Sequence, residues 1–272
     1  MIELQNRHTS GAAGIALQRI AQSFGAAATR YDAHAALQRE VAQALCALIP
    51  PQHPAPRTFL DLGCGTGYCL QHLRQRFPAA TAFALDLALP MLQTTRELDA
   101  AAQLVCADAA ALPLAGESID LLSSSLVLQW SSDPARVFKE VARVLRPGGL
   151  ALFSTFGPES LRELRAAWAE VDPHTHVNQF LPEAQLVAAA ASSGLVVSCE
   201  RRIYVRWYCD LRALGRELKG IGAHNMNATQ RPGLTGRQAF ARAEGAFARG
   251  KVAGRGVPVT YEIFYLQLEV PR

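Results

Sequence analysis

Residues 60–73 read LDLGCGTGYCLQHL, an apolar run that breaks into three alternating glycines and resumes with helical spacing. This strand, turn and helix constrain the fold more than any other stretch. Glycine adopts backbone angles closed to other residues and lets the main chain approach a ligand closely. A dinucleotide fingerprint needs G-x-G-x-x-G. Here Gly63, Gly65 and Gly67 are followed by Tyr68 and Cys69, so the third glycine arrives one residue early and the pyrophosphate reading fails. Asp61 stands just before the turn, where a carboxylate repels a pyrophosphate and attracts a cation. A tight structural turn would also satisfy a lone G-x-G-x-G.

The next two strand ends separate these readings. TAFALDL (81–87) is a second buried strand ending in Asp86, where doubly wound folds place an acid on a ribose diol. A third run, QLVCADAAALPL (103–114), ends in Asp108. That acid can accept from an adenine amino group while the Ala109 N–H meets a ring nitrogen. Three acids at successive strand ends, on one rim of one sheet, describe a nucleoside pocket with a cation at one end. S-adenosylmethionine, with its sulfonium, ammonium and adenosine, fits that description.

LDLGCGTG, ALD, CADAAALPL, IDLLSSSLVLQW and EVARVLRPGGLALFST resemble, in order, the motif series of the class I S-adenosylmethionine-dependent methyltransferases over residues 58–157. The resemblance implies an α/β fold, a doubly wound and mostly parallel seven-stranded sheet with an antiparallel last strand and a helical insertion before it. It implies cofactor contacts from Asp61, Gly63, Gly65, Gly67, Asp86, Leu87, Met91, Asp108, Ala109 and Ser125. Gln38, on an N-terminal helix that closes over the cofactor, would reach the methionine carboxylate. The corresponding organisation is a helical cap over 1–57, a cofactor-binding core over 58–157, and a C-terminal part over 158–272 with its insertion at about 209–256.

Strands alternate with helices from Thr58 to Gly157, the pattern of a parallel sheet covered on both faces. In SDPARVFKEVARVLRPGG, Ser132 or Asp133 caps a helix, Pro134 suits its first turn, and Pro147 with two glycines ends it. Beyond it, GPESLRELRAAWAEV and PEAQLVAAAASSG read as helices, VVSCERRIYVRWY as a long strand and TYEIFYLQLEV as the closing strand. No apolar stretch approaches the roughly 20 residues that span a bilayer, and the N-terminus lacks the apolar core of a signal peptide. The chain therefore reads as cytoplasmic with no membrane partner. Six cysteines without a C-x-x-C pair read as buried thiols of a reducing compartment. His174 and His176 lack acidic or cysteine partners at ligand spacing, so no metal site is expected.

Charge is uneven along the chain. Residues 199–256 carry ten arginines and two lysines against four acids, a net of +8, while the whole chain is +4. Such a lobe is either a solvated basic face or a docking surface for an acidic partner. It has few aromatics for base stacking, which argues against nucleic acid.

SFGAAATRYDAHAALQREVA, SSLVLQW, FGPESLRELRAAW, DPHTHVNQFLP, LRALGRELKGIGAHNMN, GLTGR and VPVTYEIFY together resemble the malonyl-acyl-carrier-protein O-methyltransferases of biotin synthesis, the BioC family, over nearly the whole chain from Ser23. That resemblance implies that the acceptor is the free carboxylate of a malonyl thioester on acyl-carrier protein. It places Tyr31, Trp130 and His176 on the acceptor side as the groups that orient the carboxylate. It makes Arg201, Arg202, Arg206, Arg212, Arg216 and Lys219 the candidate carrier-docking surface. Two alternatives stay open from the residues alone: methylation of a small molecule such as a quinone precursor, and a non-methylating cofactor-binding assembly factor.

Overall fold

The computed structural model describes residues 12–223 and 236–272. Seven strands form one sheet: β1 (Thr58–Leu62), β2 (Thr81–Asp86), β3 (Gln103–Cys106), β4 (Ile119–Ser125), β5 (Leu145–Phe156), β6 (Val196–Tyr208) and β7 (Val257–Glu269). Their order is β3-β2-β1-β4-β5-β7-β6. The first five pair in parallel, and β7 runs antiparallel between β5 and β6. The order reverses between β1 and β4, the switch point at which open α/β sheets leave a crevice at their carboxyl ends.

Ten α-helices accompany the sheet among the described residues: α1 (Ala12–Ala27), α2 (Tyr31–His34), α3 (Ala36–Ala47), α4 (Tyr68–Arg76), α5 (Leu89–Leu98), α6 (Pro134–Val144), α7 (Arg162–Ala169), α8 (Glu183–Ala191), α9 (Leu211–Gly220) and α10 (Arg237–Ala248). The insertion expected at about 209–256 falls partly outside the described residues. Of the two candidate caps of α6, Asp133 serves: its side chain accepts from the Arg136 N–H at 3.1 Å. The helix ends at Val144, before the Pro-Gly-Gly expected to stop it, and the chain passes directly into β5.

Side chains alternate across a strand, and β7 shows what that does here. Val257, Val259, Tyr261, Ile263 and Tyr265 enter one core with α3, α4, α7, α9 and α10. Phe264, Leu266 and Leu268 enter a second core with α6 and α8. Buried on both faces, the central strands read as continuous apolar runs. Burial of a side chain such as Phe59 or Leu60, each fully inaccessible, stabilises the fold by about 1.5–3 kcal/mol.

Candidate active site

The glycine turn is held to its neighbour by two bonds: the N–H groups of Gly63 and Cys64 donate to the Leu85 carbonyl at 2.7 and 2.9 Å. Gly63, Gly65 and Gly67 have φ of 71°, 54° and 90°, values that a Cβ disfavours. Their reasons for being glycine differ. A Cβ on Gly63 would lie 2.2 Å from Val127 Cγ2, whereas one on Gly65 would meet nothing within 4 Å. Gly63 is thus required by the protein's own packing, and Gly65 leaves open the space a ligand needs. Gly67 starts α4 in the left-handed conformation and lines no part of the cleft.

The three acids sit where the strand pattern places them. Asp61 is 1% exposed and accepts from the Leu70 N–H and the Ser123 hydroxyl, both at 2.9 Å. Burial pushes its carboxyl up to about 7, against the pull of those two donors. Asp86 spans the rim: its oxygens accept from the Gly65 N–H at 2.9 Å and the Ala88 N–H at 2.8 Å. Burial raises its pKa also. Asp108 accepts from the Ala110 N–H at 3.0 Å, which braces the third strand end.

The structure brings Gly63, Gly65, Asp86, Leu87 and Met91 onto one cleft with Asp108, Ala109 and Ser125. Leu17, Ile20 and Phe24 of α1 wall the same cleft; the first two lie outside every segment that carries the resemblance. Asp61 and Gln38 border an adjoining hollow instead, together with Tyr31 and Thr66. There the Thr66 hydroxyl donates to Asp32 at 2.8 Å, tying the glycine turn to α2. Two buried side-chain oxygens beside these spaces, Gln38 Oε1 and Ser124 Oγ, have no protein partner. Unpaired buried polar atoms are costly, so both are positions at which a polar ligand gains a bond. This donor and acceptor set fits S-adenosylmethionine: carboxylates for the ribose and the cationic end, an apolar wall for the adenine and, among the described residues, no cluster of basic side chains for a phosphate.

A second cavity of about 510 Å³ lies on the α3 and α9 side of the sheet. Phe24, Tyr31, Leu126 and Trp130 line it and the cofactor cleft alike, so they form the partition between the two. Phe24 and Trp130 meet edge to face at 5.2 Å. Leu126 holds φ 55°, a strained conformation for a branched side chain, secured by its N–H donating to the Ser154 carbonyl at 2.9 Å. The Tyr31 hydroxyl is pushed well above its ordinary range by burial, then by the nearby Asp86 and Asp32 charges. It therefore stays protonated and can only donate or accept a hydrogen bond, not act as a base.

His176 lines the second cavity and not the cofactor cleft. It stacks on Trp168 at 4.1 Å with its Nε2 2.8 Å from Asp172. One ring nitrogen expected to orient an acceptor is therefore already engaged.

The basic lobe does not form one surface. Alternation along β6 sends Arg201 to the α8 face, paired with Glu262, and Arg206 to the opposite face, paired with Glu40 of α3. Arg202 shares the face of Arg206, bonded to Glu200 at 2.6 Å and stacked over Tyr265. Arg212, Arg216 and Lys219 lie instead on α9. The six expected docking residues are thus divided, and four of them carry acidic partners.

Fold and site together define a class I methyltransferase. A methyltransferase domain model matches residues 60–153. Among solved structures, the YcgJ protein of Bacillus subtilis aligns at a TM-score of 0.60 and 15% identity, covering 86% of this chain and 99% of its own. The methyltransferase solved with the Trm112 activator of Haloferax volcanii aligns at 0.58 and 21%, covering 93% and 98%. At such identities these two bear on the fold alone. The malonyl-[acyl-carrier protein] O-methyltransferase of Laribacter hongkongensis is 42% identical over 261 residues, 91% of this chain and 87% of that protein. The chain belongs to the family of malonyl-[acyl-carrier protein] O-methyltransferases. It is also 42% identical over 267 residues to the biotin biosynthesis bifunctional protein BioHC of Teredinibacter turnerae, of which it spans only 47%.

Proposed function

We propose that this chain methylates the free carboxylate of a malonyl thioester carried by acyl-carrier protein, using S-adenosylmethionine, as an early step of biotin synthesis. The observation that carries this reading is the partition: one wall of four side chains separates a nucleoside cleft from a larger apolar cavity. When bound, the cofactor supplies a methyl group on a sulfonium, and the sulfur leaves as a neutral thioether when an acceptor oxygen forms the new C–O bond.

The chain's own residues have a limited task. A carboxylic acid with an ordinary pKa of about 4 is ionised at neutral pH and needs no general base. Tyr31 and Trp130 stand at the partition, and each offers one X–H donor. They would hold one carboxylate oxygen while the other points at the methyl, at roughly 3–3.5 Å. The apolar lining strips water from both charges. His176 also lines the cavity, and Gln38 offers its unpaired oxygen to the ammonium end of the cofactor.

Acceptors that need deprotonation fit less well. Among the described residues of the cavity, Glu217 already accepts from the Tyr208 hydroxyl at 2.7 Å and His176 is held by Asp172. No carboxylate or imidazole lies on the partition, where a phenol or carbon acid would need one. Labelled S-adenosylmethionine offered with malonyl-carrier protein, malonyl-CoA and free malonate tests the reading. Label is expected on the two thioesters and most efficiently on the carrier-bound one. Label on neither thioester would remove malonate chemistry from this protein.

A further inference from the structure

Half of the partition comes from one short stretch of chain after β4. Leu126 and Trp130 line both the cofactor cleft and the second cavity, whereas Gln129, between them in sequence, lines the second cavity alone. Leu128–Trp130 form a single 3₁₀ turn, so the same piece of backbone places Gln129 and Trp130. Gln129 is thus a polar side chain on the acceptor side of that wall.

Its amide is held at both ends. Nε2 donates to the Leu126 carbonyl at 2.5 Å, and Oε1 accepts from the Thr155 hydroxyl at 3.2 Å. Thr155 lies on β5 and is 2% exposed. These partners fix which end is which: a carbonyl only accepts, so it takes the nitrogen, and the oxygen falls to the hydroxyl. A primary amide carries two N–H groups, and Leu126 uses one. Gln129 makes no other hydrogen bond among the described residues. The second N–H is therefore an unspent donor on a side chain that lines the acceptor cavity.

We propose that this N–H of Gln129 binds the acceptor carboxylate, so that Gln129 joins Tyr31 and Trp130 in holding the oxygen that does not attack. This deepens the malonyl thioester reading and rests on it. The amide suits the task in three ways. It is neutral, so it orients the carboxylate without the ion pair that would blunt its nucleophilicity. Leu126 and Thr155 block its rotation, so the donor is set before the acceptor arrives. Its anchors belong to the strand end and the turn that also carry the cofactor's wall, which ties the alignment of the acceptor to that of the donor.

The same amide also secures the carbonyl of Leu126, whose φ is 55°, so its loss could loosen the wall as well as the acceptor. Malonyl-CoA and acetyl-CoA tell the two effects apart, because they differ only in the terminal carboxylate. With S-adenosylhomocysteine in the cleft neither can react, and calorimetric titration reads the dissociation constant of each. Gln129→Met keeps the length of the side chain and removes the donor. It is expected to weaken malonyl-CoA roughly tenfold, the size of one hydrogen bond to a charged group, and acetyl-CoA by less than about twofold. In turnover, kcat/KM for malonyl-CoA should fall by at least the same factor, since a carboxylate free to turn spends less time in line with the methyl. Thr155→Val removes the anchor of Oε1 and leaves the donor and the Leu126 bond in place; it should lower the preference for malonyl-CoA over acetyl-CoA by roughly two- to threefold. Equal weakening of the two thioesters by Gln129→Met would make Gln129 a support of the wall alone and overturn the contact, as would an unchanged malonyl-CoA affinity. Where that variant does not fold, an unchanged preference in Thr155→Val overturns it instead. Absence of esterification of every malonyl thioester by the unmodified protein would overturn the reading beneath, and would be seen before any substitution is made.

Discussion

Asp61 is a carboxylate buried at the end of β1, with a pKa raised to about 7 because burial outweighs its two donors. The folded chain therefore holds a proton there that the unfolded chain gives up near pH 4. As pH rises from about 4 to 7 this group withdraws stability, on the order of 4 kcal/mol in all, and above 7 its contribution is flat. A cation bound beside Asp61 favours the ionised form. Affinity for S-adenosylmethionine should accordingly rise between about pH 6 and pH 8, with proton release on binding. Calorimetric titration in buffers of different ionisation enthalpy measures both, and Asp61→Asn should abolish the dependence. An unchanged slope in that variant would separate Asp61 from the cationic end of the ligand. Asp86 acts through bonds more than charge. Asp86→Ala removes the acceptor of the Gly65 and Ala88 N–H groups together with the expected ribose contact. Cofactor affinity should fall by about 1.5–3 kcal/mol; equal affinity in a folded variant would take Asp86 out of the site.

The glycine turn yields a pair of contrasting outcomes. Gly63→Ala drives a methyl into Val127 and should lower thermal stability, with partial recovery when Val127→Ala is added. Gly65→Ala meets no protein atom, so it should cost only about 1–2 kcal/mol of backbone strain while weakening cofactor binding by a larger factor. Reversal of that order, with Gly65 the more destabilising for the fold, would contradict the assignment of open space to the ligand. Asp133→Ala removes the cap of α6 and should cost about 1 kcal/mol, read by denaturant unfolding.

The same turn shows why parts of the site were legible in the sequence. In a parallel sheet the connection from strand to helix is short, so Asp61, Asp86 and Asp108 announce their common rim by position alone. The wall contributed by Leu17 and Ile20 carries no such signal, because any apolar helix face looks alike until its partner is known. The division of the basic residues could have been found: Arg201 and Arg206 differ by an odd number of positions on a strand, which puts them on opposite faces. Net charge along a segment concealed what strand parity would have told. The engagement of His176 with Trp168 and Asp172 depends on packing that spacing alone does not encode.

Taken as one molecule, the chain encloses its reaction between a sheet edge and a helical roof. α1 and α2 bring Phe24 and Tyr31 over the switch point, and α9 lines the second cavity, which adjoins the cofactor cleft at the partition. Chemistry there should depend on alignment and dryness, not on proton transfer. Single-turnover methyl transfer at saturating cofactor is therefore expected to vary little between about pH 6 and pH 9. A steep fall below neutrality with binding intact would indicate a base and favour a phenol or carbon-acid acceptor. Among the described residues no helix is long and apolar enough to cross a membrane.

The position of the transferred methyl group tests the account most directly. Malonyl-carrier protein treated with methyl-labelled S-adenosylmethionine should gain one methyl as an ester on the terminal carboxylate, so mild alkaline hydrolysis should release all the label as methanol and regenerate the malonyl group. Label that resists hydrolysis on the acyl chain would mean attack by carbon, and label on the carrier protein itself would mean a different acceptor. Either result would contradict carboxylate methylation at this partition.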